Sequence, residues 1–186
     1  MTVGGKHLAV VATLILSSVT ACATTPPPAP SAQAGTAAAI EAGQRVYVMR
    51  HLWRGEGADP DLTARGTAAA ARLADLLKGS RVKAMFATAT KRAQQTAAPL
   101  AARLGLAVTT YDPRDPDALA RAVEQVPGDV LVVGHSNTVP ALVAQFGGTP
   151  PPPLGEHDYG AIYRVDLSSK ATQSFDIDAP DPALAE

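Results

Sequence analysis

Two arginines and two histidines follow predicted strands at three places far apart in the sequence. Arg50 and His51 end the first strand, Arg92 begins a helix after the second, and His135 follows the fourth. A guanidinium can bind two phosphate oxygens at once, and a helix N-terminus attracts an anion. A neutral imidazole can attack phosphorus, and nearby arginines oppose its protonation. These residue types are suited to phosphoryl transfer, which depends on positioning and charge neutralisation.

Strand and helix patterns alternate four times along the chain and predict the elements that position these side chains. Strands are predicted at residues 45–49, 82–87, 106–111 and 129–134, helices at 64–78, 91–104, 117–126 and 136–146, and a final hairpin at 161–167 and 172–177. Pro99 is expected to kink or break the second helix. The order predicts an α/β fold, a three-layer α/β/α sandwich with a mostly parallel mixed sheet. Ligand sites in such sheets lie beyond the carboxyl ends of the strands.

The first forty residues have a different character. Lys6 precedes an apolar run at residues 8–16, which is too short to span a bilayer, and small residues lead to Cys22. This segment resembles a bacterial lipoprotein signal, which implies cleavage before Cys22 and lipidation of its thiol. Ordinary secretory cleavage around residues 21–23 is the alternative. We expect a signal peptide at 1–21, a Pro/Ala-rich tether at 22–40 and one domain at 41–186, exported and membrane-anchored on the periplasmic side, or else secreted and soluble.

The composition bounds the remaining domain. The chain has 186 residues, a formal net charge of -1 and 46% hydrophobic residues, which suits one globular domain. The near-neutral charge gives no electrostatic footprint for nucleic acid. A single cysteine excludes an intrachain disulfide framework and a cysteine-cluster zinc site.

Four motifs occur in an order that resembles the histidine phosphatase superfamily, which has the phosphoglycerate-mutase-like fold. They are Val-Met-Arg-His at 48–51, Asp-Leu-Thr-Ala-Arg-Gly at 61–66, Lys-Arg-Ala-Gln-Gln-Thr-Ala at 91–97 and Val-Val-Gly-His-Ser-Asn-Thr at 132–138. The resemblance covers residues 45–177 and is closest to the short, phosphohistidine-phosphatase-like members.

The resemblance implies a role for each matching residue. His51 is the nucleophile that becomes phosphorylated, Arg50 and Arg92 bind the phosphoryl oxygens, and His135 donates a hydrogen bond to the phosphoryl group. Asn137 adds a contact from the start of the following helix. No metal or organic cofactor is implied, and the expected partner is a small phosphorylated substrate or a phosphoprotein.

Two features depart from the family pattern. Leu52 stands where the family usually has Gly or Ala, so a bulky side chain is expected to narrow the pocket or displace the backbone near the phosphate. The family's longer members also carry a glutamate general acid after the third strand. Here Asp112 and Asp115 are the candidates in that segment, and the sequence does not choose between them.

Two other functions compete with a phosphatase. A pseudoenzyme that binds phosphorylated ligands without turnover would explain Leu52 and the missing acid. A serine acyl hydrolase would use Ser136 in a segment that resembles a nucleophile elbow. However, Thr138 replaces the final glycine of that motif, and only His157 follows it as a candidate base. We interpret His157 itself as a solvated loop or rim residue.

Overall fold

The structure is a computed structural model that describes residues 1–2 and 43–178, and the description below concerns residues 43–178. This range lies inside the predicted domain at 41–186, whereas the predicted signal, tether and lipidation site fall almost wholly outside the described residues. The elements in chain order are β1 (Arg45–Arg50), α1 (Ala64–Leu76), β2 (Val82–Ala87), α2 (Lys91–Leu104), β3 (Val108–Thr110), α3 (Pro116–Glu124), β4 (Asp129–Gly134), α4 (Val139–Gln145), β5 (Ala161–Asp166) and β6 (Thr172–Asp176).

The six strands form one sheet in the order β3-β2-β4-β1-β5-β6. β1 to β4 run parallel to one another, and β5 and β6 form the antiparallel hairpin that the sequence predicts. β1 and β4 occupy the middle of the sheet, with Val46 opposite Val130 and Arg50 opposite Gly134. The predicted α/β class with a mostly parallel mixed sheet is therefore confirmed.

Two separate apolar clusters cover the two faces of the sheet. One contains the buried faces of α1 and α2, including Leu73 and Leu100, and the other contains those of α3 and α4, including Leu119 and Val143. Alternate residues of β1 enter opposite clusters, because successive side chains of a strand point to opposite faces. This arrangement gives the three layers that the element order predicts.

Two helices show how packing affects the predicted boundaries. α2 spans Lys91–Leu104, as predicted, and continues through Pro99 without a break. The buried side chains on both sides of Pro99, which include Ala97 and Leu100, hold this helix against the sheet, and tertiary packing offsets the lost backbone hydrogen bond. α4 begins at Val139 rather than at residue 136, because residues 136–138 form a turn closed by Thr138.

In the described part of the chain, no helix is both long enough and apolar enough to cross a membrane.

The segment after β1 approaches α1 very closely at Gly66. A Cβ atom added to Gly66 would lie 2.2 Å from the backbone oxygen of Trp53. The same Trp53 oxygen accepts the backbone N–H of Thr63 at 2.9 Å, and the Thr63 hydroxyl caps the helix by accepting the N–H of Gly66 at 3.2 Å. Only glycine therefore lets α1 begin directly against the loop that follows the β1 strand.

We predict that Gly66→Ala will destabilise the protein by about 1–3 kcal/mol, because the new methyl group must displace backbone rather than a flexible side chain. The free energy of unfolding from urea titration measures the change. Gly79→Ala is the matched control, since a Cβ atom there has no neighbour within 4 Å. Equal stability of the two variants would contradict the proposed close approach.

Candidate active site

The carboxyl ends of β1 and β4 bring the two histidines together. β1 and β4 are hydrogen-bonded neighbours, and the ladder continues one residue beyond the strands through a bond from the His51 N–H to the Gly134 oxygen at 2.9 Å. The imidazole rings of His51 and His135 consequently lie with their centroids 5.2 Å apart in an edge-to-face arrangement. The structure thus joins residues separated by 84 positions in the sequence, as predicted.

Arg50 is buried at the end of β1, with 6% of its surface exposed. Nη1 donates to the backbone oxygens of Gly155 at 2.7 Å and Asp158 at 3.1 Å, and Nη2 donates to the Tyr159 hydroxyl at 3.2 Å. Its buried Nε has no hydrogen-bond partner among the described residues. A guanidinium has five N–H donors, so the protein occupies three and leaves the Nε–H and one Nη2–H for another acceptor.

Arg92 lies in the first turn of α2, and its side chain is 16% exposed. Nη1 of Arg92 is 3.3 Å from Oδ1 of Asp59, which also accepts the Lys91 backbone N–H at 3.0 Å. The Nε atom of Arg92 is buried and, like that of Arg50, has no partner in the described part of the chain. Two guanidiniums whose buried Nε–H groups are unused among the described residues are complementary to an oxyanion that accepts two or more hydrogen bonds.

The tautomer of His51 follows from its hydrogen bond. Nδ1 lies 2.9 Å from the backbone oxygen of Leu52, and a carbonyl oxygen can only accept. The proton therefore resides on Nδ1, and Nε2 carries the lone pair of the neutral ring. His51 is almost fully buried, at 3% exposure, so its orientation is fixed by the surrounding protein.

His135 is held by the end of β2. Its Nε2 lies 2.9 Å from Oγ1 of Thr88, and its backbone N–H donates to Oγ1 of Thr138 at 2.9 Å. The Thr88 backbone N–H in turn binds the Val133 oxygen at 3.4 Å, which ties the end of β2 to β4. Three strand ends thereby contribute to one site.

Both histidines favour the neutral state. Burial lowers the pKa of His51 to about 3, with further lowering by the charges of His135, Arg92 and Arg50, while the Leu52 carbonyl acts in the opposite direction. Burial also lowers the pKa of His135 to about 4, and Arg92 and Arg50 add to that effect. Desolvation and the positive field of the arginines both penalise an imidazolium.

The expected obstruction by Leu52 does not occur. The Leu52 side chain has no exposed surface and lies in the apolar cluster beneath α1 and α2. Its backbone N–H donates to the buried hydroxyl of Thr96 at 3.0 Å, and that hydroxyl donates to the Arg92 oxygen at 2.7 Å. A large residue is accommodated because it packs into the core, and its backbone links the segment after His51 to the helix that carries Arg92.

The two carboxylates considered from sequence lie outside this arrangement. Asp112 binds the Arg114 side chain and backbone, which lower its carboxyl pKa to about 2. Asp115 caps α3 by accepting the Ala118 N–H at 2.9 Å. Neither hydrogen-bonds to Arg50, His51, Arg92 or His135. In the described chain, the carboxylate that contacts a site arginine is Asp59, which sequence reasoning did not single out.

Asn137 and Ser136 stand in the turn between β4 and α4. Asn137 is exposed, and its side chain makes no hydrogen bond in the described structure. Ser136 makes no hydrogen bond to His157 within residues 43–178. His157 lines a pocket together with Trp53 and Tyr159. The geometry therefore shows no serine–histidine pair.

A pocket of about 410 Å³ lies next to Tyr159, whose ring packs near His51. Its walls include Trp53, Arg54, Glu56, His157 and Tyr159. The centroid of the Tyr159 ring lies 5.9 Å from that of the His51 ring, so Tyr159 stands between His51 and this pocket. This places His157 at the rim, as its sequence position predicts. Tyr159 carried no motif signal and was missed.

Within residues 1–2 and 43–178, no group of three or more histidine, cysteine or acidic residues is arranged to hold a metal ion.

The comparisons with known proteins agree with this geometry. Residues 43–114 match the model of the histidine phosphatase superfamily, branch 1. An uncharacterized protein of Mycobacterium tuberculosis, Rv0525, is 40% identical over 89 residues, which cover 42% of this chain and 41% of that protein. The match thus spans less than half the length of this relative.

Solved structures show the same fold. The protein histidine phosphatase SixA, in complex with tungstate, superimposes with a TM-score of 0.58 at 24% identity, covering 73% of this chain and 98% of SixA. The mycobacterial glucosyl-3-phosphoglycerate phosphatase Rv2419c, in complex with inorganic phosphate, gives a TM-score of 0.54 at 17% identity, covering 71% and 95%. The described domain therefore shares the fold of SixA and Rv2419c, and residues 43–114 match the model of the histidine phosphatase superfamily.

Proposed function

We propose that the domain is a phosphatase that hydrolyses a phosphomonoester or a phosphorylated side chain through phosphorylation of His51. One observation carries the proposal: the neutral, lone-pair-bearing Nε2 of a buried His51 stands beside two arginines whose buried Nε–H groups have no partner among the described residues. A phosphoryl group supplies the oxygen acceptors that these donors require, and its phosphorus is the electrophile that Nε2 requires.

The reaction proceeds in two transfers. Nε2 of His51 attacks the phosphorus, the N–P bond forms, and the P–O or P–N bond to the leaving group breaks with its electron pair going to the leaving atom. A water molecule then attacks phosphorus, loses a proton to solvent, and releases inorganic phosphate as the N–P bond breaks and restores neutral His51. Arg50 and Arg92 neutralise the charge on the transferred oxygens, and His135 adds a hydrogen bond.

The substrate class follows the same reasoning. SixA is a protein histidine phosphatase and Rv2419c is a glucosyl-3-phosphoglycerate phosphatase, and the proposal for this chain covers both phosphorylated side chains and small phosphomonoesters. No side-chain carboxylate other than that of Asp59 contacts a site arginine in the described chain, which favours substrates whose leaving group departs readily. The proposed export of the chain argues against a substrate in a cytosolic phosphorelay.

His51→Ala should abolish turnover of an activated aryl phosphate, because it removes the Nε2 atom that is proposed to attack phosphorus. Rapid denaturing quench of the wild-type protein with ³²P-labelled substrate should yield acid-labile, base-stable phosphate on the peptide containing His51. His157→Ala is the matched control, since His157 lies at the rim of the neighbouring pocket, and it should retain most activity.

Vanadate should inhibit the wild-type protein as a mimic of the transferring phosphoryl group. A wild-type protein that binds vanadate but is as inactive as His51→Ala would support the pseudoenzyme instead. An esterase activity that depends on Ser136 and survives His51→Ala would support the acyl hydrolase.

Both site histidines should remain neutral at pH 5, since burial lowers their pKa values to about 3 and about 4. Imidazole ¹⁵N chemical shifts in the native protein measure this directly, and the urea-unfolded chain should titrate near 6.5 as the control. Between the native pKa values and the unfolded value near 6.5, the native state then binds fewer protons than the unfolded state. Stability should consequently fall as pH is lowered from about 6.5 to 4. Protonation of the native His51 near pH 6 would contradict the assignment.

We also propose that the chain is exported and anchored through lipidated Cys22, on the strength of the apolar segment and the small residues that precede this cysteine. Expressed in a Gram-negative host, the wild-type protein should partition into the detergent phase of Triton X-114, and Cys22→Ser should move to the aqueous phase. Retention of Cys22→Ser in the detergent phase would disprove anchoring at this residue.

A further inference from the structure

Four side chains form a column that has two aromatic rings in the middle and a cationic group at each end. The Arg65 guanidinium carbon lies 4.0 Å from the centroid of the Trp53 ring. Trp53 packs on Tyr159 with centroids 5.3 Å apart and planes inclined by 34°. The Arg50 guanidinium carbon lies 4.0 Å from the centroid of Tyr159. The column ends at the arginine beside the nucleophile.

Tyr159 contacts Arg50 in two independent ways. Its ring lies against the guanidinium, and its hydroxyl accepts a hydrogen bond from Nη2 at 3.2 Å. A cation is attracted to the face of an aromatic ring, and the hydroxyl fixes the rotation of the guanidinium within its plane. Together these contacts determine both the position of Arg50 and the direction of its remaining donors.

The loop that carries Tyr159 supplies the other acceptors. The Gly155 and Asp158 oxygens bind Nη1, and the Asp158 carboxylate accepts the Gly155 N–H at 2.7 Å, which closes the loop on itself. An arginine side chain has many rotamers, and fixing them costs conformational entropy. Because the loop already orders Arg50 in the folded protein, ligand binding does not require this further loss of conformational entropy.

We propose that Tyr159, supported by Trp53 and Arg65, is a positioning residue that presents the unused Nε–H of Arg50 to the transferred phosphoryl group. This inference rests on the proposed phosphatase function for its role in catalysis. The order of the Arg50 guanidinium in the ligand-free protein can be tested whether or not the protein turns over a substrate. The Nε–H is the donor that the column and loop leave without a protein partner.

Removal of the ring should affect Arg50 more than removal of the hydroxyl. Tyr159→Leu should weaken vanadate binding by about tenfold, since cation–π and hydrogen-bond contacts of this size change a binding constant by that amount. Tyr159→Phe keeps the ring and should weaken binding by only about two- to threefold. Trp53→Leu removes the support of the ring and should fall between the two.

Two measurements on the full-length chain test the role. The hydrogen-exchange rate of the Arg50 Nε–H, followed by ¹⁵N NMR without ligand, should rise at least about tenfold in Tyr159→Leu. The second measurement is the vanadate affinity of each Tyr159 variant, together with its kcat and KM for 4-nitrophenyl phosphate. Tyr163→Phe is the control variant. Tyr163 lies on β5 and packs against the opposite apolar cluster, so this control should match the wild type in both measurements.

A double-mutant cycle separates positioning from general stability. If Tyr159 acts through Arg50, Tyr159→Leu should cause little further loss of vanadate affinity in an Arg50→Lys background, whereas its effect should persist in Arg92→Lys. Unchanged Nε–H exchange in folded Tyr159→Leu would overturn the proposal, as would equal losses in both backgrounds. If Tyr159→Leu speeds Nε–H exchange but the wild-type protein hydrolyses no phosphomonoester, the positioning role stands and the proposed function is contradicted.

Discussion

The parallel pairing of β1 with β4 is the constraint on which the site depends. It places two strand ends side by side, and the hydrogen bond from the His51 N–H to the Gly134 oxygen fixes the first residue beyond β1 against the last residue of β4. Because successive side chains alternate between faces, a slip of one residue would move the buried valines of both strands to the wrong cluster. The core therefore sets the register, and the register sets the distance between His51 and His135.

A second constraint is the charge that the site must bury. Arg50 and Arg92 are held in a largely desolvated environment, where an unpaired cation is costly. Backbone oxygens and Tyr159 bind Arg50, and Asp59 binds Arg92. The Nε–H of each guanidinium has no partner among the described residues. The same desolvation, with the field of the arginines, keeps the histidines neutral. One arrangement thus places unused guanidinium donors beside two neutral imidazole rings.

The sequence was most informative where local pattern decides structure. The buried strands β2 and β4 were predicted at their observed bounds, and the placement of Arg50, His51, Arg92 and His135 followed from the strand ends. Tertiary packing decided the rest. α2 continues through Pro99 because its buried face holds it, and Leu52 packs into the core instead of the pocket. Tyr159 and Asp59 reach the arginines from distant loops, and single residues in loops carry no periodic signal.

The hydrogen bond between Nδ1 of His51 and the Leu52 oxygen has a consequence for the lifetime of the proposed intermediate. The Leu52 oxygen can only accept a hydrogen bond, so loss of the Nδ1 proton would break this contact. The ring therefore keeps its Nδ1 proton after phosphorylation at Nε2 and becomes cationic. Cleavage of the N–P bond then releases a neutral imidazole instead of an anionic one. The backbone of a core leucine would thereby give the phosphorylated enzyme a high group-transfer potential, so that the phosphoryl group passes readily to water.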